Sequence, residues 1–242
     1  MTIRALVFDA YGTLYDVQSV RDLATELCGD KGELITQLWR LKQLEYTWLG
    51  ALMGVKEDFW ALTRASLEFA LEAAGVAAEP APFERLMAKY LDLDLYPEAR
   101  AALDALAGRK LAILSNGSQE MLDALMEASR ITSLFADVIS VDRAKTFKPD
   151  PACYALVEPA LGVARDEVLF VSSNGFDVAG AKQFGFKVAW IERGGAAAVP
   201  PRVVGPAEMY RLLRGRAEKL GPAADFRVKA LTDLPGVVAR LE

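Results

Sequence analysis

At 242 residues, 52% apolar and 25% charged, the chain fits one or two globular domains with a substantial buried core. A net charge of -5 without a basic block argues against a nucleic-acid partner. The absence of histidine excludes Ser-His-Asp and Cys-His mechanisms and most zinc sites, so any acid, base or nucleophile must be Asp, Glu, Lys, Tyr, Ser, Thr or Cys.

In chain order, the first element is a short apolar run, Ala5 to Phe8, that ends in the carboxylate of Asp9. It is too short for a buried helix and reads as an interior strand of a parallel sheet. Gly12 lets the chain turn away sharply. Asp9 then faces the crevice beyond the strand's carboxyl end, where open α/β sheets bind ligands. An Asp there also serves simply to cap the next turn, so alone it is a weak signal.

From about residue 18 to 93 only helical periodicity is visible. Over residues 33–53, Leu34, Leu38, Leu41, Leu44, Trp48 and Leu52 make one stripe, with Arg40 on its flank. By periodicity Arg40 is a solvated helix residue. A second helix is expected over 58–74 and a third over 83–90, with a turn at Glu79-Pro80-Ala81-Pro82 between them. This block, residues 17–93, reads as an inserted helical cap domain. The flanking segments, 1–16 and 94–242, read as a discontinuous α/β core.

After Tyr96-Pro97 strands and helices alternate: helix 98–107, strand 110–114, helix 118–129, strand 137–141, helix 151–161, strand 168–171, a helix to 184 and strand 187–191. Residues 193–206 are rich in Gly, Ala and Pro and open a possible excursion over 194–222, which includes an amphipathic helix over 207–220. A last strand over 226–231 and a helix over 233–241 complete the chain. The alternation predicts an α/β fold, a Rossmann-like, doubly wound parallel sheet.

Polar groups fall at the ends of successive strands: Asp9, Ser115 and Asn116, Lys148, and Ser172 with Asn174 and Asp177. Parallel strands bring such ends into one crevice, so a shared site is the better reading of the set. Taken singly, Lys148 reads as a surface charge and Ser115-Asn116-Gly117 as a turn. Pro149 and Pro151 fix the direction of Lys148 between them. Gly175, Gly180 and Gly185 do not have the order of a phosphate loop and read as turns and close helix–sheet packing. Cys28 and Cys153 lie far apart and read as small buried hydrophobes of a reducing compartment. No stretch is apolar enough for a membrane span, and Asp9 and Asp16 interrupt any signal peptide. A cytoplasmic location is expected, in which the acceptor pattern Asn116-Gly117-Ser118 is idle.

Phe8-Asp9-Ala10-Tyr11-Gly12-Thr13-Leu14, Ser115-Asn116-Gly117, Lys148-Pro149 and Ser172-Ser173-Asn174-Gly175-Phe176-Asp177 resemble the four ordered motifs of the haloacid dehalogenase superfamily. Trp39-Arg40, Lys42-Gln43-Leu44-Glu45-Tyr46 and Trp48-Leu49 extend the resemblance to the cap helix of its L-2-haloacid dehalogenases. The superfamily's phosphatases carry a second Asp two residues after the nucleophile; here that position is Tyr11. A tyrosine of ordinary pKa about 10 is a poor substitute at neutral pH. Ser172-Ser173-Asn174 likewise replaces an acidic magnesium motif, leaving a site richer in neutral donors. A magnesium-dependent phosphatase is therefore the second expectation, and a binding protein that has lost catalysis a third.

The resemblance implies hydrolysis of small L-2-haloalkanoic acids to 2-hydroxy acids, with inversion and without metal or other cofactor. Asp9 would be the nucleophile and form an ester. Arg40, Asn116 and Phe176 match the halide cradle. Lys148 matches the lysine that pairs with the nucleophile and with Asp177, a pairing that favours the charged carboxylate. Thr13, Ser115, Tyr154 and Ser172 match groups that hold the nucleophile or the substrate carboxylate, and Asn174 and Asp177 groups that position or activate water. Tyr11, Gln43, Leu44, Phe59 and Trp48 are candidate pocket walls, although plain cap core serves equally for Trp48 and Phe59. The implied partners are a small haloacid and its halide ion, and a second copy of the chain in a homodimer.

Overall fold

In the computed structural model, which describes residues 2–55, 57–193, 205–214 and 218–242, the run Ala5–Phe8 is strand β1, buried throughout. The other strands are β2 (Lys110–Ser115), β3 (Asp137–Ser140), β4 (Val168–Ser172), β5 (Lys187–Ile191) and β6 (Phe226–Val228). They form one parallel sheet in the order β3-β2-β1-β4-β5-β6. In register, Phe8 of β1 stands between Ile113 of β2 and Val171 of β4. The central strands are apolar on both faces because helices cover both, as in doubly wound α/β folds. The chain runs outward from β1 to β3, then returns to place β4 on the other side of β1. The order reverses between β1 and β4, and the crevice at their carboxyl ends is where such sheets take ligands.

Between β1 and β2 the chain is helical: α1 (Arg21–Cys28), α2 (Gly32–Met53), α3 (Phe59–Ala73) and α4 (Pro80–Lys89). Trp39 of α2 is fully buried and donates its indole N–H to the Thr63 carbonyl of α3 at 2.8 Å. The remaining helices are α5 (Ala99–Ala105), α6 (Gln119–Ser129), α7 (Pro151–Ala155), α8 (Val157–Leu161), α9 (Gly175–Phe184), α10 (Pro206–Arg214) and α11 (Leu234–Ala239).

The structure departs from the sequence reading where proline and burial decide. The expected turn at residues 79–82 is the start of α4, with Pro80 as its first residue. Amides in the first turn of a helix lack intrahelical acceptors, so Pro80 and Pro82 remove no helical hydrogen bond there. The expected helix over 151–161 breaks at Leu156 into α7 and α8. Pro159 cannot donate to the Ala155 carbonyl, and its ring crowds that oxygen. The last strand ends at Val228, and α10 ends at Arg214. Residues 194–204 and 215–217 of the expected excursion lie outside the described residues. Cys28 and Cys153 are free thiols. Among the described residues no helix is long and apolar enough to cross a membrane.

The loop from β2 enters α6 through Ser118, whose hydroxyl accepts the Met121 amide at 3.4 Å. Ser118→Ala should lower stability by about 1 kcal/mol. Urea unfolding would show a lower midpoint with an unchanged slope.

Candidate active site

Asp9 directly follows β1, and its amide extends the ladder by bonding to the Val171 carbonyl at 2.9 Å. The chain must then leave the sheet at once, and Gly12, at φ +88°, makes the turn. The Asp9 carboxylate is left at the crevice, 6% exposed. Its Oδ2 accepts from Thr13 Oγ1 at 2.9 Å and from Asn174 Nδ2 at 2.8 Å, and its Oδ1 from Lys148 Nζ at 3.2 Å. Three separate segments therefore supply its donors.

Lys148 is buried, with 1% of its side chain exposed. Its ammonium also donates to Asp177 Oδ2 at 3.0 Å and to the Leu114 carbonyl at 2.6 Å. Burial works against its charge, but the carboxylates of Asp177 and Asp9 outweigh that and raise its pKa above the ordinary lysine value. The loop that carries it is held by the side chain of Asn116, whose Oδ1 accepts the Lys148 amide at 2.9 Å. Asn116 is thus buried and engaged, which removes it as a glycosylation acceptor.

Asp177 sits in the first turn of α9, fully buried. Burial pushes its carboxyl up to about 6, against the pull of Lys148. Tyr154 donates to Asp177 Oδ1 at 2.8 Å, and burial raises its phenol far above the ordinary range. Tyr154 thus reaches Asp177 and not Asp9. Ser115 and Ser172 are buried at the ends of β2 and β4, where their hydroxyl oxygens accept the Gly117 and Asn174 amides at 3.2 and 3.1 Å. Each hydroxyl keeps its proton free to donate.

Arg40 corrects the periodicity reading, because only 3% of it is exposed. Its Nη1 donates to Gln43 Oε1 at 2.5 Å, and its Nη2 to the Tyr11 carbonyl at 3.4 Å, which Asn174 Nδ2 also reaches at 3.0 Å. Gln43 in turn donates to Thr63 at 2.6 Å, so it orients Arg40. The Nε of Arg40 is buried without an acceptor among the described residues. Tyr11 packs against Phe59 with centroids 5.4 Å apart, and Phe59 against Phe147 at 6.5 Å. The Tyr11 hydroxyl has no partner among the described residues, and burial lifts its pKa well above the ordinary value, so it stays protonated at any working pH. Leu44 is buried on the same helix as Arg40. Phe176, half-buried, meets Trp48 edge to face at 5.2 Å.

Two further residues at this site have roles that the sequence does not assign them. Ser173 donates through Oγ to the Gly12 carbonyl at 2.6 Å, and its amide binds Thr13 Oγ1 at 2.9 Å. Arg193 reaches the Gly12 and Thr13 carbonyls at 3.2 and 2.6 Å and Glu98 at 2.8 Å. Both act on the Asp9 loop from a distance in sequence that no periodicity reveals. Among the described residues no group of His, Cys, Asp and Glu side chains is arranged to hold a metal ion.

The chain has relatives among known proteins. A family model described as haloacid dehalogenase-like hydrolase matches residues 3–185, and the chain belongs to that family of hydrolases. Within it, the (S)-2-haloacid dehalogenase of Xanthobacter autotrophicus is 50% identical over 240 residues, 98% of this chain and 95% of the relative. Haloacetate dehalogenase H-2 of Moraxella sp. (strain B) is 46% identical over 197 residues, 81% of this chain and 88% of the relative. The solved structure of L-2-haloacid dehalogenase from Xanthobacter autotrophicus matches with a TM-score of 0.94 at 47% identity, covering 100% of both chains. A second structure of that enzyme, with chloropropionic acid covalently bound, matches with a TM-score of 0.94 at 46% identity and the same coverage.

Gly180 of α9 explains how closely this site is packed. A Cβ there would lie 2.5 Å from the Tyr154 hydroxyl and 2.6 Å from Pro149. Gly180→Ala should therefore push Tyr154 off Asp177, lowering stability by about 1–3 kcal/mol and reducing turnover. Gly236→Ala, whose added methyl meets no atom within 4 Å, should do neither. Thermal unfolding and initial rates of the two variants make the comparison.

Proposed function

We propose that this chain is an (S)-2-haloacid dehalogenase, which hydrolyses small L-2-haloalkanoic acids to 2-hydroxy acids through an ester on Asp9. The observation that carries this reading is the donor set around the Asp9 carboxylate. It consists of an ammonium, a hydroxyl and an amide, with an arginine close by and a protonated tyrosine at position 11. The relatives named as dehalogenases, one of them solved with chloropropionic acid covalently bound, support it.

In the first step an Asp9 oxygen attacks C2 opposite the halogen. The new O–C2 bond forms as the C2–halogen bond breaks, and the halide leaves with the electron pair. In-line attack inverts C2. Water then attacks the ester carbonyl at Cγ of Asp9. The acyl C–O bond breaks, Asp9 regains its carboxylate, and the 2-hydroxy acid and one proton are released. Two anions need stabilising, the halide and the tetrahedral oxyanion. Arg40, Asn116 and Phe176 form the halide cradle in this reading, through a fixed charge, an amide and an aromatic edge. Thr13, Ser115 and Ser172 are the hydroxyl donors for the nucleophile or the substrate carboxylate. Asn174 and the Lys148–Asp177–Tyr154 chain set the carboxylate and the hydrolytic water. Tyr11, Gln43, Leu44 and Phe59 wall the pocket, and they close it from water if residues 17–93 act as a cap over the core of 1–16 and 94–242.

The second reading, a magnesium-dependent phosphatase, needs acceptor oxygens for the ion, but Lys148 occupies Asp9 Oδ1 and Asp177 Oδ2. The relatives' names favour the first reading. A cytoplasmic homodimer completes the proposal. Light scattering checks the oligomeric state.

Asp9→Asn should abolish chloride release from L-2-chloropropionate. The measurement is halide release with mass spectrometry to exclude deamidation; full turnover by a variant shown to retain its amide would defeat the mechanism. Turnover should also have an acidic limb. Asp177 has its carboxyl raised from 3.8 to about 6, so it takes up a proton as pH falls through that value and loses its ion pair with Lys148. The same raised value means that its ionisation opposes folding: its stabilising contribution is complete below the unfolded value and is lost as pH rises through about 6. A kcat profile flat from pH 7 to about 4.5 would contradict the assignment.

A further inference from the structure

Arg214, at the end of α10, is a cation that the proposed reaction does not use. Helix α10 packs on α2, and the Arg214 guanidinium lies over the ring of Trp48, with Cζ 5.2 Å from the centroid. Trp48 meets Phe176 edge to face. The Nε of Arg214 and the indole N–H of Trp48 are both buried, and neither has an acceptor among the described residues. The Nε of Arg40, on the same helix as Trp48, is in the same state. A buried donor without an acceptor is costly, and native proteins rarely leave one so. Among the described residues these N–H donors, on two guanidinium groups and an indole, are unused and open to a bound acceptor.

The cavities say where that acceptor enters. Arg214 lines both a cavity of about 380 Å³, with mostly polar and charged residues around it, that reaches Gly12, Ser173 and Asn174, and an apolar one of about 730 Å³ that reaches Trp48, Phe147 and Phe176. It stands at the partition between the two, and both lead to groups flanking Asp9. Of the carboxylates around these cavities, Asp16 and Glu33 line the smaller one, and Asp150 and Glu218 the apolar one. Burial works against the charge on Arg214, Tyr210 and Glu218 favour it, and the neighbouring positive charge of Arg40 opposes it. An anion between the two guanidinium groups would relieve that opposition. An apolar wall beside a cation suits a small organic anion or a weakly hydrated halide better than a phosphate.

We propose that Arg214 and Trp48 form an outer anion subsite at the seam of α2 and α10, occupied by the carboxylate of an incoming 2-haloacid or by the departing halide. The subsite rests on the dehalogenase reading for its ligand. Its charge draws the anion to the mouth, and the aromatic wall of Trp48 and Phe176 receives the apolar part of the molecule.

The test compares wild type with Arg214→Gln and Arg214→Lys. The readouts are steady-state kinetics on L-2-chloropropionate, chloride inhibition, and calorimetric titration with the unreactive anions propionate and chloride. Arg214→Gln should raise KM about tenfold, more than it lowers kcat, and flatten the ionic-strength dependence of kcat/KM. Arg214→Lys should restore most of the loss. Weaker propionate binding with unchanged chloride inhibition assigns the subsite to the carboxylate, and the converse assigns it to the halide. Either supports the proposal. Unchanged KM, salt dependence and anion binding in folded Arg214→Gln would overturn it. If that variant does not fold, Trp48→Phe keeps an aromatic ring and removes the N–H; it should weaken binding of one of the two anions, and unchanged titrations would overturn the proposal equally. A wild type that turns over no haloacid would defeat the dehalogenase reading, while the titrations would still decide the subsite.

Discussion

The ammonium of Lys148 is the point on which this site depends. It is buried between two carboxylates, Asp9 on the loop after β1 and Asp177 at the start of α9, and it also caps the Leu114 carbonyl of β2. A buried ammonium is tolerated only when paired, and the same holds for each carboxylate. One charge therefore ties together the ends of β1 and β2, the loop of residues 147–150 and helix α9. Removing it would leave two buried carboxylates facing each other. Removing Asp177 would leave Asp9 as the cation's sole counter-charge. The arrangement is not a stabilising ornament on the fold. It fixes the orientation of Asp9 at some cost in desolvation, which the raised carboxyl of Asp177 makes visible.

What the sequence reveals follows from the same constraint. Apolar runs that stop at a polar residue mark the strand ends, and parallel strands bring Asp9, Asn116, Lys148 and Asn174 to one edge. That much needs only the period of the chain and the direction of the strands. Arg40 shows the limit. Helical spacing puts it on the flank of a stripe, as a solvated residue. Its burial depends on Gln43 and the Tyr11 carbonyl, which lie across α2 and in a distant loop. Ser173 and Arg193 escape a sequence reading for a related reason. Their partners are backbone carbonyls of the Asp9 loop, and any residue type has those. Pro159 is legible in principle: a proline in the interior of the expected helix removes the bond to the carbonyl four residues before it, and the structure breaks there.

Tyr11 separates this site from one built around a second acid. A carboxylate two residues beyond Asp9 would add negative charge and require a cation. Tyr11 adds neither, because burial holds its phenol neutral and its ring packs on Phe59 and Tyr90. The change affects the whole local balance. With Tyr11 neutral, Lys148 is paired with Asp9 and Asp177 and meets no third carboxylate at position 11. An entering monoanion meets donors there rather than a further acceptor.

The backbone beside Asp9 extends that balance. The carbonyls of residues 11, 12 and 13 are each taken by a side chain from elsewhere. Arg40 and Asn174 reach Tyr11, Ser173 and Arg193 reach Gly12, and Arg193 reaches Thr13. Carbonyl oxygens left open there would repel an anion at the distance where it must approach Asp9. Covering them with donors, two of them guanidinium groups, removes that repulsion and holds rigid the turn that aims the carboxylate. The polar interactions that shape the loop and those that make it receptive to an anion are therefore the same interactions. A substitution that frees one of these carbonyls would disturb the aim of Asp9 and the field around it together.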